Sequence, residues 1–268
     1  MPGTVDFTDT ESMIAQGARL IEDGKTLFVG WGIPQVVAML AQKLYVPNVT
    51  QLFEFGAVGP RPVLPFVRGT MGGPQNTFRS VQWLDMNRAF AFSAAGYMDY
   101  GMLGALQVDP FGNINSTFLG GTYDLPARRF AGSGGGNQVA SHCWKTIIIM
   151  KHEGRRFVPK LDFLTSPGYL DGPGAREKAG LPRGTGPFRV VTSKALFGFD
   201  ADSRRMTLLS VLRGVPVREV LDGMGFRPLL ADGIGEIAPP SDDELRVLRE
   251  EIDPGRFIIR GERMTAGI

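Results

Sequence analysis

The 268-residue sequence has one cysteine, Cys143, and two histidines, His142 and His152. A lone cysteine excludes an internal disulfide and any cysteine-rich zinc cluster. The histidines stand ten residues apart and no set of carboxylates completes a ligand group around them, so no metal site is expected. Long apolar runs are also missing. The longest uncharged stretch, residues 26–42, is interrupted by Gly30, Gly32 and Pro34, and falls short of the roughly 20 apolar residues that span a bilayer. The formal net charge is only +2, too balanced for a nucleic-acid binder working through a basic face. The first residues carry no basic segment followed by an apolar one, so no secretory signal is expected and a cytoplasmic location is the default.

Charge is scarce in one half only. The first 150 residues hold 20 charged side chains and the remaining 118 hold 36. A charge-poor segment of this size is expected where strands are covered by helices on both faces, or where another chain covers the surface. The pattern fits the first explanation and allows the second. Asp9 or Thr10 is placed to cap a helix carrying Met13, Ile14, Ala18 and Ile21. Thr26-Leu27-Phe28-Val29 reads as a buried strand, and Gly30-Trp31-Gly32 turns into a helix beginning near Pro34 with Val36, Val37, Leu40 and Leu44 on its apolar face. Residues 49–54, 102–108 and 146–150 read as further core strands. Shorter strands near 189–191 and 207–209 and a charged helix over 242–251 give the second half a mixed character. The expectation is an α/β fold, an open and mostly parallel sheet with helices on both faces and a mixed C-terminal part, forming a single domain over 1–268.

Two segments could carry chemistry. Residues 56–74 hold five glycines and four prolines with no periodicity, as in a functional loop. They follow Glu54, at the carboxyl end of an expected parallel strand, the edge where open α/β sheets bind ligands. Spacing alone leaves Glu54 open to two readings: a strand-end glutamate paired with arginine or solvent, or a functional carboxylate. The second segment is Gly132-Ser133-Gly134-Gly135-Gly136, followed by an expected short helix. Consecutive glycines let amides converge on an anion, although a glycine run also suits a linker. Gly30-Trp31-Gly32 resembles a dinucleotide turn, but Gln35 stands where the third glycine belongs, so a nicotinamide dehydrogenase is disfavoured. Asp109-Pro110-Phe111-Gly112-Asn113 is a turn joining two strands. Arg155 and Arg156 suit an anion without specifying one. Cys143 beside Trp144 reads as a small buried hydrophobe. No serine or cysteine has a histidine base in evident register, whereas a carboxylate is already ionised at neutral pH and can attack an activated acyl group without one.

These residues fall into a larger set: Val29-Gly30-Trp31-Gly32-Ile33-Pro34, Glu54 with Gly56, Asp109-Pro110-Phe111-Gly112-Asn113, and the run from Arg129 through Gly135. The set continues with His152-Glu153-Gly154-Arg155-Arg156-Phe157, Thr165-Ser166-Pro167-Gly168, Asp171-Gly172-Pro173-Gly174 and Glu250-Glu251-Ile252-Asp253-Pro254-Gly255. Over most of its length the sequence resembles the B-type subunits of the family I CoA-transferases. The resemblance implies that Glu54 is the nucleophile, passing through an acyl-glutamyl anhydride to a glutamyl-CoA thioester. It implies that Gly134, Gly135 and Gly136 belong to an oxyanion and CoA-binding loop, and that a related A-type subunit completes the site in a hetero-oligomer. The substrates would be an acyl-CoA thioester and a short or medium carboxylic acid, dicarboxylates included, with no further cofactor. An acyl-CoA hydrolase or lyase/decarboxylase of the same fold and a non-catalytic subunit are the alternatives; relatives of those kinds typically lack the glutamate. Phe53 and Phe55 are expected to keep water from the loaded thioester.

The low charge of the first 150 residues carries a consequence for the isolated chain. Expressed alone it should self-associate or aggregate, and light scattering should show a defined hetero-oligomer only on co-expression with a partner. A monodisperse monomer with full activity would overturn that expectation.

Overall fold

Thr8, rather than Asp9 or Thr10, starts the first helix. In this computed structural model, which describes residues 4–67, 69–260 and 263–267, strand β1 (Thr4–Thr8) runs directly into α1 (Asp9–Arg19). The Thr8 hydroxyl accepts from the Glu11 amide and the Glu11 carboxylate from the Thr8 amide, at 3.1 and 2.7 Å. This is a capping box. Asp9 and Thr10 are drawn elsewhere: Asp9 pairs with Lys151 at 3.0 Å, and the Thr10 hydroxyl donates to the Arg260 carbonyl at 3.1 Å.

β2 (Thr26–Val29) leads through Gly32, at φ +84°, into α2 (Ile33–Leu44). Then come β3 (Thr50–Leu52), β4 (Ala57–Val58), a long excursion, β5 (Gln82–Trp83) and α3 (Met86–Ala94). β6 (Tyr100–Gly104) returns to the centre. The expected single strand over 102–108 is instead divided. After Gly104 the chain leaves the sheet, and β7 (Gln107–Val108) pairs with β8 (Ile114–Asn115). The turn between them causes the break, because the Asp109 carboxylate accepts from the amides of Phe111 and Asn113 at 2.9 and 3.0 Å and folds the chain back. A ribbon of β9 (Phe118–Gly121) and β10 (Pro126–Arg129) precedes α4 (Gly136–His142) and β11 (Lys145–Ile149). The remainder is α5 (Ala175–Lys178), β12 (Pro187–Val191), β13 (Ala195–Phe199), β14 (Met206–Leu212), α6 (Val217–Asp222), β15 (Leu229–Ile237) and α7 (Asp242–Arg246). The expected helix over 242–251 changes to a π-helical turn at Val247–Ile252. β16 (Arg263–Gly267) pairs antiparallel with β1.

Ten strands form one sheet in the order β15-β14-β13-β12-β11-β6-β2-β3-β4-β5. The run from β12 to β3 is parallel, while β13 and β4 join its two ends antiparallel. This is the expected open α/β sheet with a mixed C-terminal part. Period-two alternation explains its two covered faces. Leu27, Val29, Ile147 and Ile149 pack with α1 and α2 in one core, whereas Phe28 turns to the opposite side with Ala89 of α3 and Val139 of α4. Ile148 and Met150 enter a further core with Phe157 and Phe197. Burial of each such side chain contributes about 1.5–3 kcal/mol. Cys143 belongs to the α3–α4 core, as expected, and burial pushes its thiol up to about 12. Among the described residues, no helix is long and apolar enough to cross a membrane.

His152, three residues past the end of β11, is buried. Its ring centroid is 5.0 Å from that of Phe157 and 6.1 Å from that of Phe197, with Nε2 2.8 Å from the Val220 carbonyl. Burial holds its pKa below the ordinary histidine value. The neutral ring therefore stabilises the fold fully above about pH 6.5, and that contribution is lost as pH falls towards the lower folded-state pKa. Thermal unfolding followed from pH 8 to 5.5 should show a midpoint that declines below that point. His152→Gln should lower the midpoint at pH 8 and remove this part of the slope.

Candidate active site

Glu54 sits two residues beyond the end of β3, in the turn that joins it to β4. The Gly56 amide donates to the Phe53 carbonyl at 2.8 Å and the Phe53 amide to the Ala57 carbonyl at 3.0 Å. Gly56 has φ +103°, and a Cβ there would lie 1.8 Å from the Leu84 carbonyl oxygen, so glycine is required for both conformation and space. The strand expected over 49–54 ends at Leu52 because this hairpin pulls the chain back. Phe53 is buried in the α1–α2 core and does not wall the site. Phe55 does. It is 45% exposed and packs against Gly72, where a Cβ would come within 3.0 Å of its ring.

The glycine segment forms the opposite wall. The Gly132 amide donates to the Ser116 carbonyl at 3.2 Å, and the Gly136 amide to the Ser133 carbonyl at 2.7 Å, closing a turn that opens α4. Within it the Gly135 amide donates to Glu54 Oε2 at 3.2 Å. Gly134, at φ +46°, precedes it. Of the three glycines singled out from the sequence, Gly135 touches the carboxylate and Gly134 adjoins it. The amide of Gly136 is committed to the turn. A Cβ on Gly135 would lie 2.5 Å from the Phe90 ring and 2.8 Å from Glu54 Oε2. Phe90 is held by stacking on Phe28, with centroids 5.5 Å apart and planes 6° from parallel. The linker reading of this segment does not fit so tightly packed a turn.

Glu54 and the glycines face a cavity of about 480 Å³ at the carboxyl edge of the parallel strands, walled also by Trp31, Phe55, Leu103 and Ser166. Among the described residues Glu54 has no ion-pair partner, so the arginine-paired reading finds no support there. Trp31, in the turn after β2, is 61% exposed and donates from Nε1 to the Gly69 carbonyl at 3.1 Å. No group of metal-ligating side chains gathers among the described residues.

Sequence reasoning missed Arg176. Its side chain is 3% exposed and donates to the carbonyls of Pro167, Gly168, Ala140 and Ser141 and to the Thr185 hydroxyl, at 2.7–3.2 Å. Two of those carbonyls end α4, the helix that begins at the Glu54-binding turn. Only the proximity of Asp171-Gly172-Pro173-Gly174 hinted at it.

A carboxylate held by a glycine amide at the carboxyl edge of an open α/β sheet is an arrangement suited to acyl chemistry. The sequence matches the family described as Coenzyme A transferase over residues 10–223, and the chain belongs to that family. It is an enzyme subunit of the CoA-transferase class. It is 35% identical to the B-type subunit of glutaconate CoA-transferase from Acidaminococcus fermentans, covering 97% of this chain and 98% of that one. It is 34% identical to the B-type subunit of 3-oxoadipate CoA-transferase from Pseudomonas knackmussii, covering 91% and 92%. The crystal structure of glutaconate coenzyme A-transferase from A. fermentans superposes with a TM-score of 0.88, covering 96% of this chain and 98% of that chain at 35% identity.

The contact at Gly135 is directly testable. Gly135→Ala should displace either the carboxylate or the amide that meets it and lower kcat about 100-fold, roughly 3 kcal/mol, with a smaller change in KM for the acyl-CoA. Steady-state kinetics with unaltered turnover would remove the glycine turn from the reaction.

Proposed function

We propose that this chain is the nucleophile-bearing B-type subunit of a cytoplasmic hetero-oligomeric CoA-transferase, working with a related A-type subunit. Its reaction moves CoA from an acyl-CoA thioester to a carboxylic acid by ping-pong chemistry through Glu54. The observation that carries this reading is the Glu54 carboxylate, free of any described cation, held in the cavity by the Gly135 amide at 3.2 Å. Both relatives are named as the B-type member of a multi-subunit transferase, which supports an A-type partner, and the acids in those names support carboxylate substrates.

A Glu54 oxygen attacks the thioester carbonyl, the carbon–sulfur bond breaks, and CoA thiolate leaves an acyl-glutamyl anhydride. The thiolate then attacks the glutamyl carbonyl and releases the donor carboxylate, leaving glutamyl-CoA. An acceptor carboxylate reverses the two steps and departs as the new thioester. Each tetrahedral oxyanion needs donors already in place. The amides of Gly134 and Gly135 supply them, with Gly136 keeping the turn narrow. Phe55 and Trp31 limit water at the thioester. In a hydrolase or lyase of this fold, water or substrate chemistry would replace the acceptor; the transferase names of the relatives favour transfer.

Donor acyl-CoA alone should load the protein. Intact mass spectrometry of the co-expressed complex should show this chain heavier by CoA less water. Borohydride should then trap the modification at Glu54, the only acidic residue between Lys43 and Arg61. Glu54→Ala and Glu54→Gln should abolish both adduct and transfer. Turnover by Glu54→Ala at the original rate would overturn the covalent route.

A further inference from the structure

Two buried amides tie the turn after β2 to the excursion that walls the Glu54 cavity. They are Gln35, in the first turn of α2, and Asn76, at the end of a 3₁₀ turn over Pro74–Asn76. Gln35 Oε1 accepts from the Gly32 amide at 3.0 Å, and its Nε2 donates to Asn76 Oδ1 at 3.2 Å. Asn76 Nδ2 in turn donates to the carbonyls of Thr70 and Met71, at 3.3 and 3.0 Å. The backbone dictates both orientations. An N–H at one end can only donate and two carbonyls at the other can only accept, so neither amide can be reversed without breaking the chain. The segment held in this way, Gly69-Thr70-Met71, lines the cavity together with Trp31 and Phe55. Its neighbours on either side are fastened too, since Gly69 accepts from Trp31 Nε1 at 3.1 Å and Gly72 packs on the Phe55 ring.

We propose that Gln35 and Asn76 are positioning residues for the transfer reaction: their paired amides hold residues 69–72 against Trp31 and Phe55, so that a CoA thioester formed on Glu54 meets the acceptor acid and not water. The inference rests on the reading of Glu54 as the nucleophile. Packing alone does not call for amides at these two places, because apolar side chains of the same shape would fill the space at little cost in stability. What the amides add is a hold on backbone that has no other. Between β4 and Pro74 no described residue lies in a helix or strand, so the carbonyls of Thr70 and Met71 have no ladder to fix them. Trp31 and Phe55 are themselves exposed, and their rings shield the carboxylate only while the segment beside them stays in place. The reaction they must prevent is a simple one. Water attacking the glutamyl carbonyl breaks the carbon–sulfur bond, gives a proton to the CoA thiolate and regenerates the Glu54 carboxylate, which ends the cycle without transfer.

The test uses the complex co-expressed with its A-type partner, loaded with whichever of acetyl-, butyryl- and adipyl-CoA gives most adduct and then freed of small molecules. Intact mass spectrometry follows the CoA adduct over time in buffer without an acceptor acid. Gln35→Met combined with Asn76→Leu replaces both amides by apolar side chains of similar shape. This variant should load as fully as the unsubstituted complex and lose its adduct about fivefold faster, the scale of one hydrogen bond. Trp31→Phe keeps a ring at an exposed position and removes only the donor to Gly69, so it should speed the loss by roughly threefold with no change in thermal midpoint. Equal rates of loss in all three complexes overturn the proposal. A double variant with a lower thermal midpoint and less loading, but an unchanged rate of loss, marks a purely structural pair and overturns it as well. Failure of the Glu54 reading looks different: no complex, substituted or not, then carries an adduct with any of the three esters, and the role in transfer falls with it.

Discussion

The contact between the Gly135 amide and the Glu54 carboxylate joins residues 81 positions apart in sequence, and the rest of the site is arranged to make it possible. Each side needs its own local device. On one side, a hairpin that only Gly56 can close lifts Glu54 off the end of β3 while Phe53 anchors the strand in the core. On the other, the absence of a Cβ at Gly135 lets backbone approach both the carboxylate and the Phe90 ring. Neither segment makes a site alone. The parallel sheet brings them together by placing the carboxyl ends of β3, β2 and β6 along one edge.

Arg176 extends the constraint to the far end of α4. A buried guanidinium without an acid partner is costly unless its donors are used, and here four carbonyls and a hydroxyl take those of Nη1 and Nη2, while Nε is buried without a hydrogen-bond partner among the described residues. Burial lowers its pKa, yet arginine stays charged over any ordinary pH range. The side chain thus ties the loop over 167–168 and the turn at Thr185 to the last carbonyls of α4. The helix is held at both ends: by Arg176 at its C-terminus and by the Ser133–Gly136 turn at its start.

The low charge density of the first half has two structural counterparts. Helices α1 and α2 on one face and α3 and α4 on the other cover the sheet, which accounts for the uninterrupted apolar strands. A second set of apolar side chains remains uncovered, including Val63, Leu64, Val67, Phe78, Val81 and Trp83, all in the excursion between β4 and β5 or in β5 itself. That excursion also supplies Gly69 to Trp31 and Gly72 to Phe55. The surface beside the cavity is therefore apolar along this excursion.

The open α/β sheet, β2 with its following helix, the short helix after Gly136 and the burial of Cys143 were all legible in the sequence, because each follows from local periodicity or glycine chemistry. So was Glu54 as a candidate, from its place after a strand and ahead of a proline- and glycine-rich segment. Sequence alone could not separate a solvent-facing glutamate from one held by a glycine amide, since that depends on two turns meeting at the sheet edge. The inward turn of Phe53 depends on packing into the α1–α2 core that no window of sequence contains. The same holds for the use of Gly136 within its turn and for the Arg176 clamp. Local residue order determined which elements form; the parallel crossovers, which set strand ends side by side regardless of their distance along the chain, decided which side chains face one another.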